Sequence, residues 1–214
     1  MEPYETEKVG RFTIKLYPDE AGNSPRDWDN LGMMVCRHRD YDLGDEKPDP
    51  RIDRIEVLVR YYAGTGGEWF PLYLLDHSGL WLRTGTFACD SGIGGPGPGG
   101  GWDTSLVGII YVTREQIIAE YGDDSAENRA RAREVLQAEV KVYSQWLEGD
   151  VRGWVLEDAD GNTIDSCWGY YDDGDALADA RSEAAGEIER ERVEKQERVK
   201  RFIKSGVPLI YRTA

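Results

Sequence analysis

The sequence predicts an α+β fold: a mostly antiparallel sheet packed on one side by helices, with a long, partly solvated helix near the C-terminus. Apolar residues recur with the periods of strands and of helices, but without the regular β–α–β alternation of a parallel sheet. Two pairs of predicted strands are separated by short polar turns, as is typical of hairpins. The chain has 214 residues, 40% of them hydrophobic, which is enough to form a core without a disulfide or a metal.

The first predicted elements are two strands joined by a long loop. Apolar side chains alternate with polar ones in residues 11–17 (RFTIKLY), as in a half-buried strand. Residues 18–32 are rich in proline, aspartate, asparagine and glycine, which indicates a loop. Residues 33–37 (MMVCR) then predict a short strand.

A helix is predicted next, with Asp49 as its N-cap, Pro50 in its first position and Gly64 at its end. A strand over residues 57–61 is the alternative interpretation, because apolar side chains also alternate there. The positions that recur at helical spacing are Ile52, Ile55, Val59 and Tyr62.

The middle of the chain predicts a hairpin and a buried strand. The hairpin covers residues 69–84, and Gly79 supplies the positive φ that the tight turn at 76–79 (DHSG) needs. Residues 92–101 (GIGGPGPGGG) form a glycine–proline tract, which we expect to be a mobile loop or lid. Residues 105–112 (SLVGIIYV) predict the buried strand.

Two helices and a second hairpin follow. Thr113 and Gln116 form a capping box for a short helix that ends at Gly122. The next helix covers residues 125–147, and residues 151–167 form a hairpin with its turn at 158–162. The apolar face of the longer helix carries Ala132, Leu136, Val140, Tyr143 and Leu147.

A long helix is predicted over residues 175–204, and its stretch 189–198, in which only Val193 is apolar, is either a solvated arm or a partner helix. We therefore expect an acidic α+β domain at 1–174 and a C-terminal segment at 175–214, in which residues 207–211 add an edge strand. The apolar heptads are not sustained enough for a coiled coil. The residues that can pack against the body are Leu177, Ala180, Ala184 and Ile188.

The formal net charge of −15 makes several kinds of partner unfavourable. Nonspecific binding to nucleic acid or to an anionic membrane is disfavoured. No apolar stretch approaches the length of a membrane span, and the N-terminus has no secretory signal pattern. The three cysteines, Cys36, Cys89 and Cys167, are too scattered for a disulfide framework. These observations predict a cytoplasmic protein with no cofactor.

The negative charge is densest in residues 113–174, which hold 15 acidic and 6 basic residues. In one interpretation, the acidic residues of this stretch form a solubilising surface. In the other they align into a stripe that occupies the groove of a basic protein, as a DNA mimic does, since only clustered charges act beyond a screening length of about 8–10 Å. The residues of this predicted partner-binding stripe are Asp123, Asp124, Glu148, Asp150, Glu157, Asp158, Asp172 and Asp173.

Two catalytic hypotheses rest on the histidines, His38 and His77. Together with Cys36 and Cys89 they would supply four zinc ligands, although the spacing matches no zinc motif. A thiol-dependent hydrolase would instead pair a cysteine with a histidine oriented by Asp76. In either case the loops at 18–32 and 92–101 would cover a pocket that holds Trp28 and Trp102.

The sequence lacks other common catalytic, phosphate-binding and calcium-binding motifs. Neither a nucleophile elbow nor a P-loop occurs. Residues 158–165 (DADGNTID) suggest calcium ligands, but Thr163 and Gly169 stand where an EF-hand loop needs glycine and glutamate. A hairpin turn explains this run with fewer assumptions.

The sequence contains the strings PRDWDNLG at 25–32, CRH at 36–38, YDLGD at 41–45, PLY at 71–73, DHSG at 76–79, WD at 102–103, GIIYV at 108–112, Tyr143, GDV at 149–151 and DSCWG at 165–169. Taken in this order, they resemble a group of small acidic proteins carried by bacteriophages and integrated mobile elements. The match covers roughly residues 11–172 and leaves the last helix outside. The group has no established activity, so the resemblance assigns no catalytic residue. The resemblance implies a location in the cytoplasm of the infected bacterium. In the group's pattern a cysteine lies close to the Trp-Asp pair, whereas here the glycine–proline tract separates Cys89 from Trp102.

The sequence therefore predicts a noncatalytic accessory protein that binds and inhibits a host protein with a basic surface. A defence nuclease or another nucleic-acid-binding enzyme fits best. The alternatives are a small metal- or thiol-dependent hydrolase centred on Asp76-His77 and Cys36-x-His38, and a virion-associated protein that forms homo-oligomers through helix 175–204.

Overall fold

The computed structural model describes residues 2–20, 22–52, 54–85 and 104–206. These residues form eight strands, four α-helices and one turn of 3-10 helix at Pro25–Asp27. The strands are β1 (Glu5–Val9), β2 (Phe12–Pro18), β3 (Met33–Cys36), β4 (Glu68–Asp76), β5 (Leu80–Arg83), β6 (Thr104–Val112), β7 (Arg152–Glu157) and β8 (Thr163–Tyr170). The helices are α1 (Ile55–Tyr62), α2 (Arg114–Tyr121), α3 (Ala126–Leu147) and α4 (Asp173–Lys204).

The predicted α+β class is confirmed: the strands form two four-stranded antiparallel sheets. The chain divides into two compact units, one built from residues 1–20 and 151–214 and the other from residues 21–150. This division differs from the expected boundary after residue 174, because α4 packs on the sheet that contains the first two strands. No helix in the described part of the chain is long and apolar enough to cross a membrane.

The first unit is a sheet of order β1-β2-β7-β8 with α4 on one face. The alternating side chains of β2 are buried, as the sequence predicted, and small residues of α4 lie against them. Alanines at this contact let the helix backbone approach the sheet closely. The buried core consists of Phe12, Ile14, Leu16, Trp154, Leu156, Ala176, Ala180 and Ala184. Strand β1 was not predicted, since most of its side chains are exposed and it carries no apolar alternation.

The second unit is a sheet of order β3-β6-β4-β5. Here helices pack on both faces, whereas the sequence led us to expect helices on one side only. Strands β3 and β6 are apolar on both faces, so each face needs a cover. On one face Ile110 packs with Leu136 of α3, and on the other Ile109 packs with Leu58 of α1.

Two local predictions need correction. Helix α1 begins at Ile55, not at 49–50: the Asp49 carboxylate accepts the Arg51 N–H (2.9 Å) and makes a local turn instead of capping the helix. In the DHSG turn the positive φ belongs to Ser78 (59°), not to Gly79, and the His77 N–H donates to the Gly79 carbonyl (3.1 Å).

The remaining predictions within the described residues agree with the structure. The capping box of Thr113 and Gln116 is formed, and Gly122 ends α2 in the left-handed region. Helices α3 and α4 and the hairpin of β7 and β8 lie where they were predicted. The glycine–proline tract at 92–101, Cys89, Trp102 and the strand at 207–211 lie outside the described residues.

Candidate functional site

The loop between β2 and β3 is held by a nearly buried arginine. The Arg26 side chain is only 6% exposed. Its Nε and Nη2 donate to the two carboxylate oxygens of Asp45 (2.8 and 2.6 Å), and its Nη1 donates to Glu139 (3.0 Å). The Nη2 group also donates to the Gly32 carbonyl (2.6 Å). One guanidinium thus joins two loops to helix α3.

The two carboxylates in turn bind backbone N–H groups of the loop. Glu139 accepts from Leu31 (2.8 Å) and Gly32 (3.1 Å), and Asp45 accepts from Met34 (2.7 Å). A Cβ at Gly32 would lie 2.3 Å from a Leu136 methyl group, so only glycine fits here. The strings at 25–32 and 41–45 therefore meet at one network, and its first role is structural.

This network presents Trp28 at the surface. Ser24 caps the 3-10 helix at Pro25–Asp27, and the Asn30 Nδ2 donates to the carbonyls of Pro25 (2.9 Å) and Trp28 (3.0 Å). The Trp28 side chain is 53% exposed, and the aspartates on either side of it are exposed as well. A large aromatic residue is thus displayed on a backbone that side-chain hydrogen bonds hold in place.

An acidic pocket of about 450 Å³ borders this loop. Three carboxylates line it, those of Asp29, Glu120 and Glu139. Glu139 is engaged by Arg26, whereas we find no ion pair for Asp29 or Glu120 among the described residues. The phenol of Tyr121 lines the pocket too, and its pKa is raised, chiefly by burial and then by the charge of Glu120. The pocket therefore favours a cationic side chain. Its full lining is Asp29, Asn30, Leu31, Gln116, Ala119, Glu120, Tyr121, Val135 and Glu139.

Four of the eight predicted stripe residues lie in the second unit, and three of them have identifiable local roles. Hydrogen bonds from Arg114 and then Arg129 lower the pKa of Asp124 to about 2. Asp123 accepts from the Ser125 N–H (2.9 Å) at the start of α3. Glu148 accepts from the Ser144 hydroxyl (2.9 Å) at the end of that helix.

The fourth of these residues is Asp150. Its N–H donates to the Gln145 carbonyl (2.7 Å), just beyond α3.

The other four lie in the first unit and also have intramolecular partners. Glu157 pairs with Lys15 (2.6 Å) across β2 and β7. Asp158 accepts the N–H groups of its own hairpin turn, and Asp172 caps α4. Asp173 pairs with Arg152. The eight carboxylates are divided between the two units, and most of them stabilise local structure. Their alignment into one stripe stays a prediction.

The residues of the hydrolase hypothesis are only partly brought together. The ring of His38 stacks on Tyr41 (4.9 Å), whose hydroxyl donates to Asp76 (2.9 Å), and His77 lies in the adjacent turn. Cys36 instead packs in the core of the second unit, 1% exposed, and burial raises the pKa of its thiol to about 12. Across the described ranges no group of three or more histidine, cysteine, aspartate and glutamate side chains is arranged to hold a metal ion.

Sequence reasoning missed the parts of this site that depend on distant contacts. Arg26 lies in a string that the sequence analysis singled out, but nothing local indicates that its partner is Glu139, 113 residues later. Glu139 lies on α3 among exposed charged residues and carries no signal of its own. Trp28 was singled out in advance, but as a residue of a pocket covered by loops, whereas its side chain is 53% exposed.

The chain matches no protein-family model, and comparison with curated proteins and with solved structures also finds no match.

Proposed function

We propose that this protein is a phage or mobile-element accessory protein that binds and inhibits a host protein whose basic surface normally binds nucleic acid. The binding surface that supports this proposal best is the Trp28 loop together with the adjoining acidic pocket. The host protein's basic side chains enter the pocket while Trp28 packs against the surface around them.

The carrying observation is an exposed tryptophan on a hydrogen-bonded loop, beside two carboxylates for which we find no ion pair in the described part of the chain. Tryptophan is among the residues that contribute most to protein interfaces when it packs into a partner. A loop already held by Arg26 and Asn30 loses little conformational freedom on binding, which favours affinity. The carboxylates of Asp29 and Glu120 supply charge-assisted acceptors for an arginine or lysine.

The charge of the whole chain supports the same kind of partner. A net charge of −15 attracts basic surfaces and increases their association rate, especially at low salt. Basic surfaces of this kind are common on proteins that bind nucleic acid, because phosphate contacts dominate their affinity. An acidic protein bound there would exclude the nucleic acid.

The thiol-dependent hydrolase receives less support. A cysteine nucleophile acts as its thiolate and must be accessible, whereas Cys36 is buried and holds its proton firmly. Within the described residues, the hydrogen bonds and ring contacts that join His38, Tyr41 and Asp76 involve no thiol.

The experiment is affinity capture from a bacterial lysate with the full chain, followed by measurement of the captured protein's binding to nucleic acid. The test variant carries Trp28→Ala, Asp29→Asn and Glu120→Gln. We expect it to bind the captured protein about 100-fold more weakly than the unmodified chain, as for loss of a central tryptophan and its charged neighbours. Its binding should also depend less on salt.

The matched control carries the same three chemical changes at other exposed positions, Trp168→Ala, Asp160→Asn and Glu5→Gln. It should bind as the unmodified chain does. The proposal is wrong if both variants bind equally well, or if the captured protein binds nucleic acid as tightly in the presence of this protein as without it.

A further inference from the structure

A small apolar pocket lies in the second unit, where helix α1 and strand β6 meet the loop that follows β3. Its volume is about 130 Å³. Among the described residues no carboxylate lines it, which distinguishes it from the acidic pocket beside Trp28. The apolar side chains of its lining are those of Pro48, Ile52, Ile55, Leu58, Leu106 and Val107.

Leu106 leaves one wall of this pocket open to solvent. Its side chain is 43% exposed, whereas that of the neighbouring Val107 is 3% exposed. The pairing of β6 with β4 passes over Val107, since Leu72 pairs with Gly108 and Tyr73 with Leu106. Irregularities of this kind redirect side chains and are frequent beside binding sites. An apolar group that entered the pocket would cover the exposed part of Leu106.

The one charged side chain that lines the pocket among the described residues is Arg37. Its N–H donates to the Val107 carbonyl (2.7 Å), so Arg37 continues the pairing of β3 with β6. Its Nη2 donates to the carbonyls of Asp49 (2.9 Å) and Pro48 (3.4 Å). These bonds hold the guanidinium beside the pocket, and a guanidinium has further N–H donors to offer.

The charge of Arg37 is available to a ligand. We find no ion pair between Arg37 and any described residue. Asp49 is the acidic residue next to it in the loop, but the Asp49 carboxylate accepts from Nε and Nη2 of Arg51 (3.0 and 2.5 Å). The remaining negative charge of the protein is screened over about 8–10 Å, so a cation at the pocket can still attract an anion.

We propose that this pocket binds a small aliphatic carboxylate, with its carbon chain among the apolar side chains and its carboxylate on Arg37. The volume limits the chain, because an apolar cavity of about 150 Å³ takes up a ring of about six carbons. A branched acid of about five carbons therefore fits. Inorganic phosphate would leave the apolar walls uncovered, and a neutral molecule would make no use of the guanidinium. This site shares no lining residue with the acidic pocket and does not depend on the proposed function.

The test is NMR titration of the methyl-labelled full chain with isovalerate. We expect shifts at the methyl groups of Ile52, Ile55 and Leu106, and a dissociation constant of about 1 mM or lower. Isovaleramide has the same shape without the charge and should bind at least about tenfold more weakly, because a charge-assisted bond to Arg37 is lost. Acetate, which lacks the apolar chain, should also bind at least about tenfold more weakly.

Two variants separate a binding role of Arg37 from a structural one. Arg37→Gln should raise the dissociation constant for isovalerate at least about tenfold, whereas the control Arg39→Gln, at an exposed neighbouring arginine, should leave it unaltered. Leu106→Trp places a larger side chain at the open wall and should abolish binding while thermal unfolding stays close to that of the unmodified chain.

Each remaining outcome overturns the proposal. These outcomes are equal binding of isovalerate and isovaleramide, unchanged binding by Arg37→Gln or by Leu106→Trp, and shifts confined to methyl groups outside the pocket. The absence of any shift at about 20 mM isovalerate has the same meaning, because a site built for this ligand would be nearly saturated there.

Discussion

At the scale of single residues, Arg26 determines the shape of the candidate binding surface. Burial alone would lower its pKa, but hydrogen bonds and charges from Asp45 and Glu139 outweigh burial and raise it. The guanidinium is therefore charged and held by two carboxylates that are themselves only 13% and 10% exposed. Removing the arginine would leave both of them without their main partner.

We predict that Arg26→Met destabilises the protein by about 3–5 kcal/mol, the usual effect of breaking a buried ion pair from one side. Arg26→Lys should also be costly, because an ammonium group cannot reproduce the two parallel bonds to Asp45. Urea unfolding of the full chain measures both effects. Arg39→Met, at a side chain that is 89% exposed, is the control and should change stability by less than about 1 kcal/mol. Equal effects of the two methionine variants would show that the network contributes nothing beyond a surface pair.

At the scale of elements, the two halves of helix α4 are stabilised in different ways. Its first half is held by alanines buried against the sheet and by the Asp172 cap, whereas its exposed half depends on helix propensity and on ion pairs within the helix. Gly186 lies between the two halves, and a Cβ added there would meet no atom within 4 Å.

We predict that Gly186→Ala stabilises the protein by about 0.5–1 kcal/mol, because alanine restricts the unfolded chain and favours the helix without a steric conflict. Gly122→Ala should have the opposite effect, since Gly122 ends α2 with φ at 92° and alanine is strained there although it has room. Thermal and urea unfolding of both variants give the comparison. If Gly186→Ala is neutral, the helix is not continuous at this point in solution.

At the scale of the whole molecule, carboxylates determine how stability depends on pH. The pKa of Asp124 is lowered to about 2 by Arg114 and Arg129. The pKa values of Glu7, Asp40, Asp123 and Asp158 are also lowered, each chiefly by a side-chain hydrogen bond. A carboxyl whose pKa is lower in the folded state stabilises the fold above its unfolded pKa of about 4, and this contribution is lost as the pH falls through the folded value.

We predict that Tm falls steeply between about pH 4 and pH 2, and that it changes little or rises between about pH 7 and pH 5, where self-repulsion of the −15 charge decreases. Asp124→Asn should lose less Tm over the acid range than the unmodified chain, because position 124 no longer binds a proton there. Circular dichroism melts at a series of pH values measure this. Parallel curves for the two proteins would mean that Asp124 has the same pKa in both states.

The candidate site could be predicted only where it depends on residues that are close together in the sequence. The polar loop at 18–32, the capping box and the glycine after α2 were evident from neighbouring residues, whereas Trp28 was expected in a covered pocket and is 53% exposed. The partner of Arg26 was not predictable, because Glu139 is brought to it by the packing of α3 on the second sheet. The predicted acidic stripe stays a prediction, because neighbouring residues in the sequence do not show which carboxylates take part in ion pairs and caps.

The sequence by itself determined the α+β class and nearly all the elements, because strand and helix periods, caps and turns depend on residues within a few positions of each other. It also determined the acidic character of the protein. Only the tertiary structure decided that the strands form two sheets in two units, that Cys36 is buried away from His38, and that Trp28 stands beside an acidic pocket. Those outcomes depend on which apolar faces cover each other, and that choice is made by contacts between residues far apart in the chain.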